Sequence, residues 1–451
     1  MKKRSLLILF LILIVNAPIF AQISDEKLKR NLQAKLDEFH KNGKFAGATL
    51  GVCLADGKCF GLATGYSNLE TKTLMKPLDL MLAGSVGKTY AAAVALQLVK
   101  ESKINLDDKI EKYLRRETWF SRLPNAREIT VRQLMNHTSG LVRYEFKEQF
   151  TKDLTANPDK VWKLEELLAY LFDEKAAFEA GKGWDYSDTN YIVLGMIIEK
   201  VTGKKYYAEA KRRILKPLKF ERTFPQDRRE IKGLIQGYAG EKNPFGGTDA
   251  MIQNRKFAIN PQFEWTGGGM VSNAKDLARW AKAMYEGRAF DEALLPQMLD
   301  GVSAPLLGRE TKYGLGVIIR PTRAGLTYGH SGFFPGYMTD VMYFPEHKIA
   351  VAVQVNSSVP QNLGKPLGRV LVETLETIIG KEPPQTTNTA QKKQFAIVLR
   401  LNPKYQNDKN WTEANNQTVG RYFAKLQQLQ KDGSKLILAG KSRSRNGTKF
   451  K

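Results

Sequence analysis

The stretch AGSVGKTYAAAVALQL, from Ala83 to Leu98, can be read as either of two incompatible chemistries. Gly87-Lys88-Thr89 resembles the end of a phosphate-binding loop, whereas Ser85 and Lys88 match the S-x-x-K pattern of serine enzymes that transfer acyl groups. The phosphate-binding loop needs a glycine six residues before Lys88, where the backbone turns around the phosphates, and Leu82 stands there. The stretch therefore favours the S-x-x-K interpretation.

The N-terminus predicts export. Lys2, Lys3 and Arg4 precede an apolar run from Leu6 to Val15, and small Ala21 follows, as in a secretory signal peptide over residues 1–21. The alternative, an uncleaved membrane anchor, needs roughly 20 apolar residues. We expect a soluble, periplasmic or secreted mature protein with no transmembrane span, in a compartment where nucleoside triphosphates are scarce.

Composition indicates a folded enzyme with a basic surface. The chain has 451 residues, of which 42% are hydrophobic, so it can bury a sizeable core and has room for more than one domain. Its net charge of +24 is not accompanied by interleaved basic and aromatic motifs. We therefore expect no nucleic-acid partner, and interpret the charge as a solvated surface that faces an anionic envelope.

Two cysteines, Cys53 and Cys59, flank the turn signal Asp56-Gly57. A two-residue loop sends the two thiols to opposite faces of a hairpin, while a three-residue loop pairs them directly, and the sequence leaves both open. The four histidines lack ligand spacing and two cysteines cannot form a zinc site. We predict no metal and no cofactor.

Hydrophobic periodicity predicts an α+β domain over residues 22–380. Strands at both ends with helices between them suggest one antiparallel sheet flanked by helices, plus a helical subdomain. The predicted elements are a hairpin over Ala46–Gly65, helices over Thr89–Glu101, Trp162–Phe172 and Pro366–Ile379, and strands over Gly314–Arg320, Met338–Phe344 and Ile349–Asn356.

The C-terminal region is predicted to be separate. Residues 381–393 are polar, contain two prolines and read as a linker. Over residues 394–451, FAIVLRL and KLILAG predict strands, with a helix over Thr418–Lys431 between them. This is enough for only part of a small α+β domain.

The S-x-x-K pattern is weak alone, because this chain contains it three times. Ser24 to Lys27 lies too near the predicted cleavage point for a buried site, and Ser272 is most simply a helix N-cap. Ser85 opens a run of small residues that predicts a buried helix with Lys88 one turn on. A partly buried lysine can lose its proton and accept one from a hydroxyl, although Ser85 as a cap and Lys88 as a solvated charge is the competing interpretation.

Two further stretches favour the chemical interpretation. GWDYSDTN places Tyr186-Ser187-Asp188 just before a predicted helix, and YGHSGFF places His330-Ser331-Gly332 at the edge of a predicted strand. The three motifs follow one another along the chain as Ser85 with Lys88, then Tyr186-Ser187-Asp188, then His330-Ser331-Gly332. With the motifs in this order, residues 24–379 resemble the serine β-lactamase superfamily: class C β-lactamases, D-alanyl-D-alanine carboxypeptidases and β-lactamase-like esterases. Three flanking stretches also match: ITVRQLMNHTSGL, INLDDKIEKYL and GGGMVSNAKDLARW.

The resemblance implies a β-lactamase/transpeptidase-like fold and a set of roles. Ser85 would be the acylated nucleophile, and Lys88 with Tyr186 would take and return its proton. The backbone N–H groups of Ser85 and Phe333 would form the oxyanion hole, since an oxyanion needs fixed donors. The same resemblance implies a catalytic His330 and substrate contacts at Asp188, Ser331, Gly332 and Phe333.

Two departures from the family pattern bear on the substrate. His330 stands where the β-lactamases usually carry a lysine, and a mostly neutral histidine recognises a carboxylate less well. Asp188 stands where asparagine is usual, and an ionised carboxylate cannot donate a hydrogen bond to a substrate amide carbonyl.

Residues 394–451 resemble the first part of a YciI-like domain, which is a small ferredoxin-like unit.

We therefore predict an exported serine hydrolase that forms an acyl-enzyme with an ester or a D-amino-acid peptide or amide, of small-molecule or peptidoglycan type. A true β-lactamase is one alternative. A penicillin-binding or sensor-type module without turnover is another. The sequence leaves the oligomeric state open.

Overall fold

The computed structural model describes residues 25–241, 243–246 and 248–381. The predicted signal peptide (1–21), the predicted linker after Lys381 and the YciI-like segment (394–451) lie outside the described residues. In the described part, no helix has both the length and the apolar character needed to cross a bilayer.

Eleven α-helices and fourteen strands are described. The helices are α1 (Asp25–Lys41), α2 (Lys88–Lys100), α3 (Glu111–Leu114), α4 (Val131–Met135), α5 (Glu148–Ala156), α6 (Leu164–Ala169), α7 (Asp188–Thr202), α8 (Tyr206–Ala210), α9 (Ala274–Tyr285), α10 (Leu295–Leu299) and α11 (Leu367–Ile378). The strands are β1 (Gly47–Cys53), β2 (Cys59–Asn68), β3 (Thr73–Leu74), β4 (Met81–Leu82), β5 (Phe224–Pro225), β6 (Ile252–Gln253), β7 (Lys256–Phe257), β8 (Met270–Ser272), β9 (Val302–Ser303), β10 (Lys312–Tyr313), β11 (Ile318–Thr322), β12 (Gly325–Phe334), β13 (Tyr337–Phe344) and β14 (Ile349–Val355).

The main sheet is antiparallel and contains strands from both ends of the domain. Its nine strands run in the order β3-β2-β1-β14-β13-β12-β11-β10-β9, so β1 pairs with β14. The fold class predicted from the sequence is confirmed: an antiparallel sheet flanked by helices, with a helical region inserted between its first and last strands.

Alternation along β14 shows how the sheet separates two cores. Ile349, Val351 and Val353 pack with α1 and α11 on one face, while Ala350 and Ala352 belong to the core of the helical region, which includes α9. Successive strand side chains point to opposite faces, and both faces are covered here, which explains the continuous apolar run.

The hairpin settles the question of loop length. Cys53 lies directly opposite Cys59, and the Leu54 amide donates to the Lys58 carbonyl, which leaves a three-residue loop. The two thiols form a disulfide.

Several element predictions were wrong in detail. The strand expected over Gly314–Arg320 is broken by a turn at Gly316, which has φ +76°, so β10 ends before it and β11 starts after it. The helix expected over Trp162–Phe172 is the shorter α6. The N-cap of α9 is Asn273, whose side chain accepts from the Asp276 amide, while Ser272 ends β8 and hydrogen-bonds Thr223.

Candidate active site

Ser85 is the one accessible residue in a long buried stretch. It lies in a 3-10 turn, Gly84–Gly87, that leads into α2. All residues from Leu80 to Leu96 are buried except Ser85, which is half-buried. The regular α-helix begins at Lys88 rather than at the serine. The turn therefore exposes a hydroxyl on a scaffold that packing holds rigid.

Lys88 contacts Ser85 from inside the protein. Its ammonium is fully buried and donates to the Ser85 hydroxyl oxygen over 3.0 Å. It also forms an ion pair with Asp188 and donates to the Gly267 carbonyl. These three contacts match the three donors of an ammonium group.

The charge of Lys88 differs from the prediction. Burial disfavours the ammonium form, but the attraction of Asp188, with a contribution from Tyr186, outweighs it and holds the pKa of Lys88 above its ordinary value. The sequence indicated that a partly buried Lys88 can lose its proton, whereas the Asp188 counter-charge in this arrangement favours the ammonium form. A buried lysine loses its proton only where no counter-charge faces it.

Asp188 is the counter-ion of two cations. It starts α7, and its second carboxylate oxygen accepts from Arg143 over 2.8 Å, while Arg143 also donates to Glu145 over 2.6 Å. Burial alone would raise the pKa of Asp188, but Lys88 and Arg143 hold it well below its ordinary value. Sequence reasoning missed Arg143 and Glu145, although a charged pair beside the matched stretch HTSGL was the available signal.

Tyr186 lies against this charged group. Its buried hydroxyl makes no hydrogen bond, and the Lys88 nitrogen lies 4.9 Å from the centre of its ring. Burial raises the pKa of Tyr186 above its ordinary value, while Lys88 opposes the change and Ser85 is close enough to contribute. The Tyr186 hydroxyl is thus free to form a hydrogen bond with a group that enters the site.

His330 is neutral and its ring nitrogens are both engaged. It lies within β12, between β11 and β13, rather than at a strand edge as the sequence suggested. Its Nδ1 donates to the Ser331 carbonyl over 2.6 Å, and its Nε2 accepts from the Tyr313 hydroxyl over 2.8 Å. Burial lowers the pKa of His330 to about 3.

Strand β12 meets the Ser85 turn through two glycines. Gly84 has φ +53°, and a Cβ there would lie 2.6 Å from the Phe333 nitrogen. A Cβ on Gly332 would lie 2.0 Å from the Ala83 carbonyl oxygen. Only glycine allows this approach, which brings the Phe333 backbone N–H next to the turn that carries Ser85.

His137 is a further residue whose contacts the sequence did not predict. Its Nδ1 accepts from the Ser187 amide over 3.2 Å and from the Asn190 side chain over 3.0 Å. Its ring centre lies 4.3 Å from that of Tyr186. Burial keeps the pKa of His137 well below its ordinary value, so the ring is neutral and packs against Tyr186.

The structure thus brings the predicted side chains together: Ser85, Lys88, Tyr186, Asp188 and His330, with Ser331, Gly332 and Phe333 on the adjoining strand. Among the residues that the structure describes, no group of three or more His, Cys, Asp or Glu side chains is arranged to hold a metal ion.

Comparison with known proteins agrees with this arrangement. The family model described as Beta-lactamase matches residues 32–375, and the chain belongs to this family. It is a serine hydrolase of the β-lactamase-like family.

Individual relatives are distant. The chain is 26% identical over 340 residues to Penicillin-binding protein 4* of Bacillus subtilis, covering 71% of this chain and 70% of that protein. It is 25% identical over 343 residues to the teichoic acid D-alanine hydrolase of Staphylococcus aureus, covering 75% and 79%. The D-amino acid amidase of Ochrobactrum anthropi superposes with a TM-score of 0.67 at 25% identity, covering 78% of this chain and 99% of that one.

Proposed function

We propose that this protein hydrolyses a D-aminoacyl ester or amide through an acyl-enzyme formed on Ser85. The observation that carries the proposal is the 3.0 Å contact between the accessible Ser85 hydroxyl and the buried Lys88 ammonium. A serine hydroxyl becomes a useful nucleophile only when charged groups and a proton acceptor are fixed around it.

Lys88 and Tyr186 act as a pair, with Lys88 as the cation. Lys88 keeps its proton and stabilises negative charge on the Ser85 oxygen during attack, since it already donates to that atom. The Ser85 proton passes to the Tyr186 oxygen in its ionised form. Tyr186 then returns the proton to the leaving alcohol or amine. In the second half-reaction a water molecule gives a proton to Tyr186 and attacks the acyl carbon, and Tyr186 passes that proton to the Ser85 oxygen as the acid is released.

The oxyanion hole consists of the backbone N–H groups of Ser85 and Phe333. The contact between Gly84 and Phe333 supports this assignment, because it brings the Phe333 backbone nitrogen next to the turn that carries Ser85. Backbone donors fixed in a packed site stabilise the tetrahedral intermediate without reorganising.

The charges of the site favour a substrate that lacks a recognition carboxylate. His330 is neutral and both of its nitrogens are occupied, so it offers no positive charge. Asp188 holds Lys88 and Arg143 in ion pairs, which leaves both of these cations partly neutralised. Together these features favour an ester or amide over a β-lactam or a peptide with a free C-terminal carboxylate.

The D-aminoacyl class rests on the relatives. The names of the Staphylococcus aureus and Ochrobactrum anthropi proteins refer to D-alanine and to D-amino acids, and both align over three quarters of this chain or more.

We also propose, from the N-terminal pattern, that the protein is exported with Gln22 as its first mature residue. N-terminal sequencing of the secreted protein would test this.

The test is turnover by the purified mature protein beside Ser85→Ala. We expect hydrolysis of p-nitrophenyl acetate and of D-alanine p-nitroanilide that disappears in the variant, with a chromogenic cephalosporin turned over at least about 100-fold more slowly. Efficient cephalosporin turnover would indicate a true β-lactamase. A single stoichiometric burst without further turnover would indicate a sensor-type module, and either result contradicts the proposal.

A further inference from the structure

Arg143 brings a second cation to Tyr186. Its guanidinium carbon lies 5.4 Å from the centre of the Tyr186 ring, and the Lys88 nitrogen lies 4.9 Å from the same point. The Arg143 side chain is 27% exposed, so water screens its charge only in part. A positive charge at this distance favours the ionised form of a phenol.

Three contacts hold the Arg143 guanidinium in this place. Its Nη2 donates to the Asp188 carboxylate over 2.8 Å, and its Nε donates to Oε1 of Glu145 over 2.6 Å. Its carbon also lies 3.9 Å from the centre of the Phe146 ring, and a guanidinium next to an aromatic ring is attractive. The charge is therefore fixed beside Tyr186.

The environment of Glu145 favours its protonated form. Its Oε2 is buried and meets no hydrogen-bond donor among the described residues. A buried carboxylate oxygen without a donor is costly, and the nearby Asp188 carboxylate disfavours a second negative charge. Burial and Asp188 together raise the pKa of Glu145 well above its ordinary value.

The histidine and tyrosine neighbours of Tyr186 are neutral. The ring centres of His137 and His330 lie 4.3 and 6.1 Å from that of Tyr186, and burial lowers the pKa of both histidines. Tyr313, at 5.9 Å, and Tyr191 have pKa values that burial raises well above the ordinary value. In the described part of the chain, the charges that face Tyr186 are those of Lys88, Arg143 and Asp188.

These charges do not balance when Glu145 is protonated. Lys88 and Arg143 both pair with Asp188, so two cations share one anion. Ionisation of Tyr186 supplies the missing negative charge. Buried charges that are paired cost less free energy than a buried charge without a partner.

We propose that Arg143 is a positioning residue that, beside a protonated Glu145, stabilises the ionised oxygen of Tyr186. The inference rests on the proposed function, because ionised Tyr186 is the group that accepts the Ser85 proton there. Arg143 acts through Tyr186 rather than on the reacting atoms.

The experiment replaces Tyr186 with difluorotyrosine as the single fluorinated residue of the mature protein and follows its ionisation by fluorine NMR. The fluorinated phenol is more acidic than that of tyrosine, which brings the titration to a lower pH and separates it from the other tyrosines. We expect Arg143→Gln to raise the pKa of this residue by at least about one unit, since it removes a charge at 5.4 Å. In the protein with its natural Tyr186, kcat/KM for p-nitrophenyl acetate at neutral pH should fall at least about tenfold.

Arg132→Gln is the matched control. Arg132 is 28% exposed, close to the 27% of Arg143, and it pairs with Asp107 rather than with a residue of the site. Its substitution should leave both the fluorine titration and the ester turnover unchanged.

Glu145→Gln tests the charge count and decides the proposal even if Arg143→Gln does not fold. Because Glu145 is protonated in the proposal, a neutral glutamine should leave the pKa of the fluorinated residue nearly unchanged. If Glu145 is ionised, loss of its negative charge lowers that pKa by about one unit, and the proposal is overturned.

The outcomes separate the inference from the function on which it rests. If the ester is hydrolysed in a Ser85-dependent manner but Arg143→Gln leaves the fluorine titration unchanged, the proposed function stands and the inference is overturned, even where turnover falls. If the titration moves as expected but no Ser85-dependent turnover occurs, the electrostatic role of Arg143 is supported and the proposed function is overturned.

Discussion

The Lys88 ammonium and the Asp188 carboxylate form an ion pair inside the protein, in contact with the Ser85 hydroxyl. Both groups are buried, and the partners are 100 positions apart in the chain. The pair keeps Lys88 charged although the surroundings exclude water. It therefore decides which group of the site can accept the Ser85 proton.

The first prediction concerns pH. The pKa of Lys88 is raised by Asp188 and that of Tyr186 is raised by burial, so at neutral pH the lysine is charged and the tyrosine is protonated. Because ionised Tyr186 is the acceptor, kcat/KM for an ester should rise about tenfold per pH unit from pH 6 to 9. His330, with a pKa of about 3, should add no inflection there.

The measurement is a pH–rate profile corrected with Ser85→Ala. Tyr186→Phe should remove the rise, while Tyr113→Phe, which removes a hydroxyl that bonds Asp108 rather than a residue of the site, should keep it. A plateau that begins between pH 6 and 8 would instead mean that a neutral Lys88 is the base.

The second prediction is that Asp188→Asn destabilises the protein. The substitution leaves the Lys88 ammonium buried without its counter-charge, and breaking a buried pair costs about 3–5 kcal/mol of unfolding free energy. The pKa of Asp188 is depressed in the folded state, so this contribution is present above about pH 4 and is lost as the pH falls below it. Urea unfolding at several pH values measures it.

Asp107→Asn is the control for this prediction. Asp107 pairs with Arg132 but is 67% exposed, so its removal should cost less than about 1 kcal/mol. Equal costs for the two substitutions would argue against a buried Lys88–Asp188 pair.

The third prediction concerns the oxyanion donors. Gly84→Ala puts a methyl group 2.6 Å from the Phe333 nitrogen, at a residue with φ +53°, and should push β12 away from the Ser85 turn. Loss of one such donor lowers kcat by roughly 100-fold or more. Gly57→Ala is a matched control, because φ is +87° there and a Cβ meets nothing within 4 Å. Equal activity of the two variants would contradict the assignment.

The fourth prediction concerns the disulfide between Cys53 and Cys59. The bond closes a short loop, with a sequence separation of 6, for which the chain-entropy relation gives about 2 kcal/mol of stabilisation. Replacing both cysteines with serine should lower the unfolding free energy by that amount, as should reduction of the wild type. Unchanged stability would mean that the hairpin is equally ordered without the bond.

Local patterns predicted much of this structure. Runs of apolar residues located β13 and β14, and the spacing of Ser85 and Lys88 placed them one helical turn apart, because both features depend on neighbours in the sequence. The break at Gly316 and the cap at Asn273 differ from the prediction by only a few residues, since turns and caps depend on single side chains.

The charge state of the site could not be predicted in the same way. Lys88 keeps its proton because α7 brings Asp188 against it, and Arg143 arrives from a separate loop. Which counter-ion a buried lysine meets depends on how distant elements pack, and the pattern around Ser85 contains no information about it. The close approach of Phe333 to Gly84 depends on packing in the same way.

The central claim, that Ser85 is acylated, is tested most directly by mass spectrometry. The protein is quenched with acid during turnover of a p-nitrophenyl ester, and its intact mass and its peptides are then measured. We predict a mass increase of one acyl group, located on the peptide that contains Ser85 and absent from Ser85→Ala. Turnover without a covalent intermediate, or an acyl group on another residue, would contradict the account.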